Sequence, residues 1–389
     1  VFSSRIQPGQ QANRLSQAVD RLRRAGRPIL NLAQSNPTAC GLQPDGLLAS
    51  LQDPAIGRYE ADCRGAWRSR LALAGRLGCD PERLFLTAST SEAYSWLFKL
   101  LCDPGDAVLV PKPGYPLFDY LAGLENVEAR PYRLEYRHPQ GWQIDTDQLT
   151  AAAAQPRVKA IVLIHPNNPT GSFVSQAERD FILYLASRHG LAIIADEVFL
   201  AYPLETREAP LSFATAESGL VFSLNGLSKL LCLPQLKLGW IQLAGDPAVV
   251  AEALPRLELI ADTYLSVGAA PMHALPQLLP QVEAFTSGLR QRLQANLATV
   301  RRIFDQAGSP FRLLRCEGGW TALLEVPRYL PEEELALALL EQAGLLVHPG
   351  YFFDCERDGL LALSLIVPPD EFAAGCQRLR AWFDDHGRE

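Results

Sequence analysis

The sequence predicts an α/β protein with a large domain built on a mostly parallel sheet and a smaller α+β domain. Three observations predict it. Short apolar runs rich in β-branched residues recur through the middle of the chain, hydrophobic throughout rather than alternating, which suits strands covered on both faces. Most are separated by stretches of helical periodicity, the pattern of βαβ units. Beyond them come one long amphipathic stripe and a tail in which strand and helix signals alternate.

In chain order, strands are predicted over 84–86, 107–110, 160–164, 191–195, 221–224 and 240–243. The first turns into a helix with apolar positions at Ala93, Trp96, Leu97, Leu100 and Leu101. Ser89 and Glu92 stand at its start with capping-box spacing. A helix start presents free backbone N–H groups and the positive end of the dipole, where an anion can sit; a plain structural cap is the other reading. From 279 to 307, Val282, Phe285, Leu289, Leu293, Leu297, Val300 and Phe304 form one apolar stripe and predict a long helix leading into the second domain. The tail predicts a strand over 320–326, a helix over 331–343, a strand over 360–366 and a closing helix.

Composition bounds the function. A chain of 389 residues, 48% hydrophobic and 20% charged, has the balance of a globular protein long enough for two domains. Its formal net charge of -7, with no dense Lys/Arg run, argues against a nucleic-acid partner. The 8 cysteines form no C-x-x-C pair and no Cys/His cluster, so no metal site is expected and the thiols read as reduced, in a cytoplasmic protein. No apolar stretch approaches the ~18 residues of a membrane span, and residues 1–10 lack the basic and apolar regions of a leader.

In an open α/β sheet ligands bind outside the carboxyl ends of the strands, so the residues that follow each predicted strand are the candidates. They are His165-Pro-Asn-Asn-Pro-Thr-Gly171, Asp196-Glu197, Asn225-Gly-Leu-Ser-Lys229 and Thr87-Ala-Ser-Thr-Ser-Glu-Ala93. Asn168-Pro-Thr-Gly171, then Asp196 after 28 residues, then Ser228-Lys229 after a further 33, resembles the class I/II aminotransferases among the fold type I pyridoxal 5′-phosphate (PLP) enzymes. The resemblance runs from about 31 to 369, and residues 87–106 are similar to a bacterial subgroup of unassigned substrate.

The resemblance implies a fold type I PLP-transferase, with a large PLP-binding domain over 45–288 and a small domain from 1–44, with an N-terminal arm, and 289–389. It implies PLP bound to Lys229 as a Schiff base, and transfer of an amino group from an amino acid or amine to a 2-oxo acid. A PLP-dependent lyase, decarboxylase or cyclising enzyme on an amino-acid-like substrate would use the same Lys229 and Asp196. The chemistry explains the residue types. The ring stabilises a carbanion only while its nitrogen is protonated, so a carboxylate, Asp196, must face it. Lys229 must be neutral to move a proton, which burial favours. By the same resemblance Asn168 meets the ring's O3′ and Tyr115 stacks on the ring. Thr90, Ser91, Ser228 and Lys237 hold the phosphate. Tyr59 reaches the phosphate of a neighbouring subunit, which implies a homodimer. Tyr59 and Tyr115 each have a plainer reading as core or turn tyrosines.

Three positions depart from the family. Lys237 stands where an arginine is usual and supplies charge without a bidentate fork. Phe199 stands in place of a tyrosine that hydrogen-bonds O3′. Ala362, in Leu361-Ala-Leu-Ser364, stands where an arginine clamps the substrate α-carboxylate. Arg14 and Arg256 are the candidates to replace that clamp. Asn36, in Ser35-Asn-Pro37, and His348, in Val347-His-Pro-Gly350, are candidate substrate contacts, or else a turn asparagine and an exposed loop histidine.

Overall fold

The computed structural model describes residues 2, 3, 5, 13–206 and 208–387. Most of 1–10, expected to carry no leader, lies outside the described residues. A short strand, β1 (Leu30–Asn31), comes first, and eight strands then build the large sheet. These are β2 (Leu84–Thr87), β3 (Ala107–Lys112), β4 (Glu128–Arg137), β5 (Gly141–Ile144), β6 (Val158–Ile164), β7 (Ala192–Asp196), β8 (Leu220–Gly226) and β9 (Gly239–Gly245). Their spatial order is β2-β9-β8-β7-β6-β3-β4-β5.

Neighbours from β8 through β7, β6 and β3 to β4 pair in parallel. Only β9, antiparallel to both β2 and β8, and β5 at the far edge are reversed. β2, β3, β4, β6, β7 and β8 therefore all point the same way, and their carboxyl ends gather along one edge. Each apolar run predicted in the middle of the chain is a strand of this sheet, the run at 240–243 being the reversed β9, and the strands are buried on both faces: Ile161, Ile193, Val221 and their neighbours face one core, Val162, Ile194 and Phe222 the other. Each buried aliphatic side chain of this kind contributes about 1.5–3 kcal/mol relative to exposure.

The Thr90–Leu101 helix buries Ala93, Tyr94, Trp96, Leu97 and Phe98. That face is turned from the expected stripe, with Tyr94 and Phe98 buried while Leu100 and Leu101 are only partly covered, because the helix packs on the sheet and on the helix Pro247–Tyr264. Ser89 caps it, its Oγ accepting from Glu92 N–H at 3.1 Å. The reciprocal arm differs from a complete capping box: the Glu92 carboxylate takes the N–H of Ala88 at 2.6 Å, one residue upstream of the cap.

The long stripe forms a single turn at Leu279–Gln281 and then the helix Val282–Phe304, with Phe285 half-buried and the other six predicted positions buried. It leads to a four-stranded antiparallel sheet of β10 (Arg312–Leu313), β11 (Thr321–Glu325), β13 (His348–Pro349) and β14 (Leu360–Ser364) in the order β10-β11-β14-β13. Between them β12 (Leu345–Leu346) pairs with β1, which ties the start of the chain to this unit. The core under the small sheet extends to Phe199, Tyr202 and Cys232 beside the large sheet, so the two units meet at the carboxyl edge.

Candidate functional site

The carboxyl edge brings together four of the segments singled out in the sequence. Asp196 is the last residue of β7; His165 to Gly171 follow β6; Ser228 and Lys229 follow β8; and Ser89 to Ser91 follow β2. Gly226 and Gly239 face each other where β8 meets β9. A Cβ on Gly239 would come within 3.1–3.3 Å of Asn225 O, Thr87 Oγ1 and Ser89 C, so glycine is what lets the Ser89 turn close on this edge. Lys237, exposed and in the left-handed region at φ 52°, stands two residues before that contact. In the first turn of the Thr90 helix the N–H groups of Thr90 and Ser91 have no intrahelical acceptor, as at any helix start.

Asp196 accepts from Tyr94 Oη on Oδ2 and from Val198 N–H on Oδ1, both at 3.2 Å. Burial pushes its carboxyl up to about 6, against the pull of these two donors and of Lys229. Burial lowers the Lys229 ammonium, opposed by Cys232 and Asp196. Its Nζ lies 5.2 Å from the Trp320 ring centre and 5.8 Å from that of Phe199. Tyr202 Oη donates to Lys229 O at 2.7 Å and fixes the backbone that carries it. Asn168 Oδ1 accepts from Thr321 Oγ1 at 3.2 Å, which turns the NH2 of the amide away from β11 and leaves it to donate. Tyr115 is 42% exposed, its ring edge-on to Phe118 at 6.4 Å, and burial together with Asp196 raises its hydroxyl pKa.

A half-buried carboxylate with spare acceptor capacity, a desolvated lysine, a free amide NH2 and a helix start on one strand edge make a donor set for a flat, cationic-nitrogen heterocycle carrying a phosphate. The comparisons agree with that chemistry. The family model for aminotransferase class I and II matches residues 52–379. The chain belongs to this family. Among curated relatives, the alanine aminotransferase of Mycobacterium tuberculosis is 27% identical over 381 residues, 92% of this chain and 86% of that one. The glutamate-pyruvate aminotransferase AlaA of Escherichia coli is 28% identical over 302 residues, 76% and 72% of the two chains. Among solved structures, alanine aminotransferase from Pyrococcus furiosus shares the fold at TM-score 0.86 and 21% identity, covering 96% of this chain and 100% of that one. A Thermus thermophilus aspartate aminotransferase does so at 0.84 and 22%, covering 98% and 99%.

The small-sheet side of this aminotransferase is different in kind. Ala362 pairs with Leu323 and His348 across the sheet and is 3% exposed. It lies in an apolar cluster with Leu314, Leu323 and Leu360, against which Tyr136, Trp142 and Phe353 pack. The place of the family's arginine is filled core. The two candidate replacements are ion-paired, Arg14 with Glu333 and Glu334, and Arg256 with Glu252 on an exposed helix face. His348 is largely buried in β13 beside Phe352 and Phe353 rather than on an exposed loop, and burial lowers its pKa. Asn36 is exposed, its Oδ1 accepting from Thr38 N–H and Oγ1 at 3.1 and 2.7 Å, so it holds its own turn together. That turn meets the site through Ser364 Oγ, which donates to Gln34 O at 2.6 Å. Tyr59 is 76% exposed and outside every core, which removes its reading as a core residue.

Sequence reasoning missed two participants, Tyr94 and Thr321, and named Glu197 beside Asp196 without giving it a role. Glu197 is buried under the edge, its carboxylate satisfied by Ser212 Oγ, Phe213 N–H and Ser223 Oγ at 2.6, 2.6 and 2.8 Å. The tyrosine and threonine touch residues 102 and 153 positions away, and nothing in their local sequence marks them. Among the described residues no His/Cys/Asp/Glu group is arranged for a metal, and no helix is long and apolar enough to cross a membrane.

Proposed function

We propose that this aminotransferase uses PLP held by Lys229 and moves an amino group from an amino acid or amine to a 2-oxo acid. The observation that carries the reading is the pair Asp196 and Lys229: both desolvated at one strand edge, each favouring the other's charged form. When bound, PLP supplies an electron sink for the charge that develops at the substrate Cα. Asp196 keeps a proton on the ring nitrogen, and Asn168, oriented by Thr321, donates its NH2 to O3′. Thr90 and Ser91 N–H groups, Ser228 and Lys237 receive the phosphate, and Tyr115 covers the ring. Lys229, its ammonium lowered by burial, is the base that takes the proton from the substrate Cα.

The relatives' names, alanine and glutamate-pyruvate aminotransferases, support small α-amino acids as donors. The filled Ala362 position supports a donor whose carboxylate is not gripped from β14, an amine included, with Asn36 and His348 on that side as the proposed contacts. Exposed Tyr59 supports a homodimer in which it meets the partner's phosphate. The eight free cysteines support a reducing, cytoplasmic setting.

Mixing PLP-loaded protein with a panel of amino acids and amines, and following the cofactor absorption through one half-reaction, tests the activity. Conversion to the pyridoxamine form with release of a carbonyl product is expected; ammonia or carbon dioxide without amino transfer would overturn it. Borohydride reduction and peptide mapping should place the label on Lys229 and no other lysine.

A further inference from the structure

Tyr94 lies on the second turn of the Thr90 helix, 3% exposed, with its Oη donating to Asp196 Oδ2 at 3.2 Å. Its ring is held on two sides, edge-on to Phe118 at 5.1 Å and tilted against Phe98 at 5.9 Å. Phe118 in turn stands edge-on to Tyr115. The hydroxyl is thus fixed by packing and has little freedom to swing away from the carboxylate.

We infer that Tyr94 is a positioning residue for the cofactor: it fixes and keeps ionised the Asp196 carboxylate that faces the ring nitrogen. The inference rests on the PLP reading above and extends it. A phenol O–H donated to a carboxylate is a charge-assisted bond, and it favours the ionised acid over the neutral one. Asp196 needs that help, because burial works against its charge and its other support is one backbone N–H and the field of the nearby Lys229. The placement has a second consequence. The helix whose first turn offers Thr90 and Ser91 N–H groups to the phosphate carries Tyr94 a turn later to Asp196, so one rigid element addresses both ends of the same ligand.

The groups that face this pair are few. Asp196 feels Lys229 from the turn after β8 and Glu197 beside it; Tyr94 feels Tyr132 of β4 and Tyr115 of the loop after β3. Tyr132 Oη is spent on Val162 O at 2.9 Å, and the Glu197 carboxylate on its three donors. The phenols are raised by burial, and Lys229, though lowered, is a base. Asp196 is therefore the group expected to set the acid limb of ligand binding.

The test measures binding of pyridoxamine 5′-phosphate, which makes no covalent bond to Lys229, to the apoprotein by equilibrium fluorescence between pH 5 and 9. It compares the wild type, Tyr94→Phe, Asp196→Asn and the double variant. Tyr94→Phe keeps the ring and its packing and removes only the donor. The expected result is roughly ten- to hundredfold weaker binding at neutral pH, the range of one hydrogen bond to a charged group. The acid limb should also move to higher pH, since a less supported carboxyl is protonated sooner. In the Asp196→Asn background the same substitution should change affinity by less than about twofold, because the charge it supports is gone. An acid limb unmoved by Tyr94→Phe, or an equal loss in both backgrounds, would overturn the inference. Failure of the wild type to bind the probe would instead overturn the PLP reading on which it rests.

Discussion

The carboxyl edge of the large sheet and the facing strands of the small sheet meet at one site but are built by opposite rules. On the large-sheet side, polar groups are half-buried with capacity left over. Asp196 has two donors for its two oxygens, Asn168 has its oxygen spent and its NH2 free, and Lys229 is desolvated beside two rings. On the small-sheet side, Ala362 is ordinary core, closed by leucines and aromatic rings. Buried polar groups with spare capacity are costly unless a ligand completes them, whereas a filled apolar cluster asks for nothing. The contrast teaches that the cofactor half of the site is prepared by the fold, while the substrate half carries no charge from β14.

The comparison can be broken most directly at Lys229. Lys229→Ala should lower transamination at least about 10²–10⁴-fold, the contribution of a positioned proton carrier, measured as keto-acid release under saturating PLP. Retained turnover would move the chemistry to another lysine. Ala362→Arg probes the other half. If the position is core, a guanidinium there is unpaired and overpacked and should destabilise the protein by about 3 kcal/mol or more, read by urea unfolding. An Ala362→Arg protein as stable as the wild type, with a lowered KM for α-amino acids over amines, would show that the position opens onto the substrate.

Asp196 sharpens the contrast through pH. Burial raises its pKa in the folded apoprotein to about 6, above its unfolded value. The stability it contributes is therefore full below the unfolded pKa and is lost as pH rises through about 6. Asp196→Asn carries no charge to desolvate. Its apoprotein should be more stable than the wild type by about 3 kcal/mol at pH 7.5, the gap closing near pH 4. A gap equal at both pH values would mean that the carboxyl ionises freely. The smallest effect is expected at Thr321→Val, which removes the donor that orients Asn168; pyridoxamine 5′-phosphate binding should weaken by about 1 kcal/mol, roughly fivefold, with unfolding nearly unchanged.

Much of the fold was legible because its strands are continuous apolar runs and its long helix keeps one stripe, signals carried by neighbours in sequence. The candidate site was legible in part for the same reason. Residues that directly follow strands land on the carboxyl edge when those strands run parallel, so His165 to Gly171, Asp196 and Ser228-Lys229 could be named without coordinates. The buried face of the Thr90 helix was less legible. The expected stripe omitted Tyr94, because a helix packed between a sheet and another helix buries more than one stripe.

The sequence by itself determined the order of the eight strands it predicted and of the long helix, the residues at those strands' ends, and the absence of an arginine at 362, since each of these is a property of local pattern. Tertiary structure alone decided that Tyr94 meets Asp196, that Thr321 turns Asn168, that Arg14 and Arg256 are paired elsewhere and that Ala362 is sealed. Each of these depends on where two elements remote in sequence come to rest, and packing specifies that only after the chain has closed on itself.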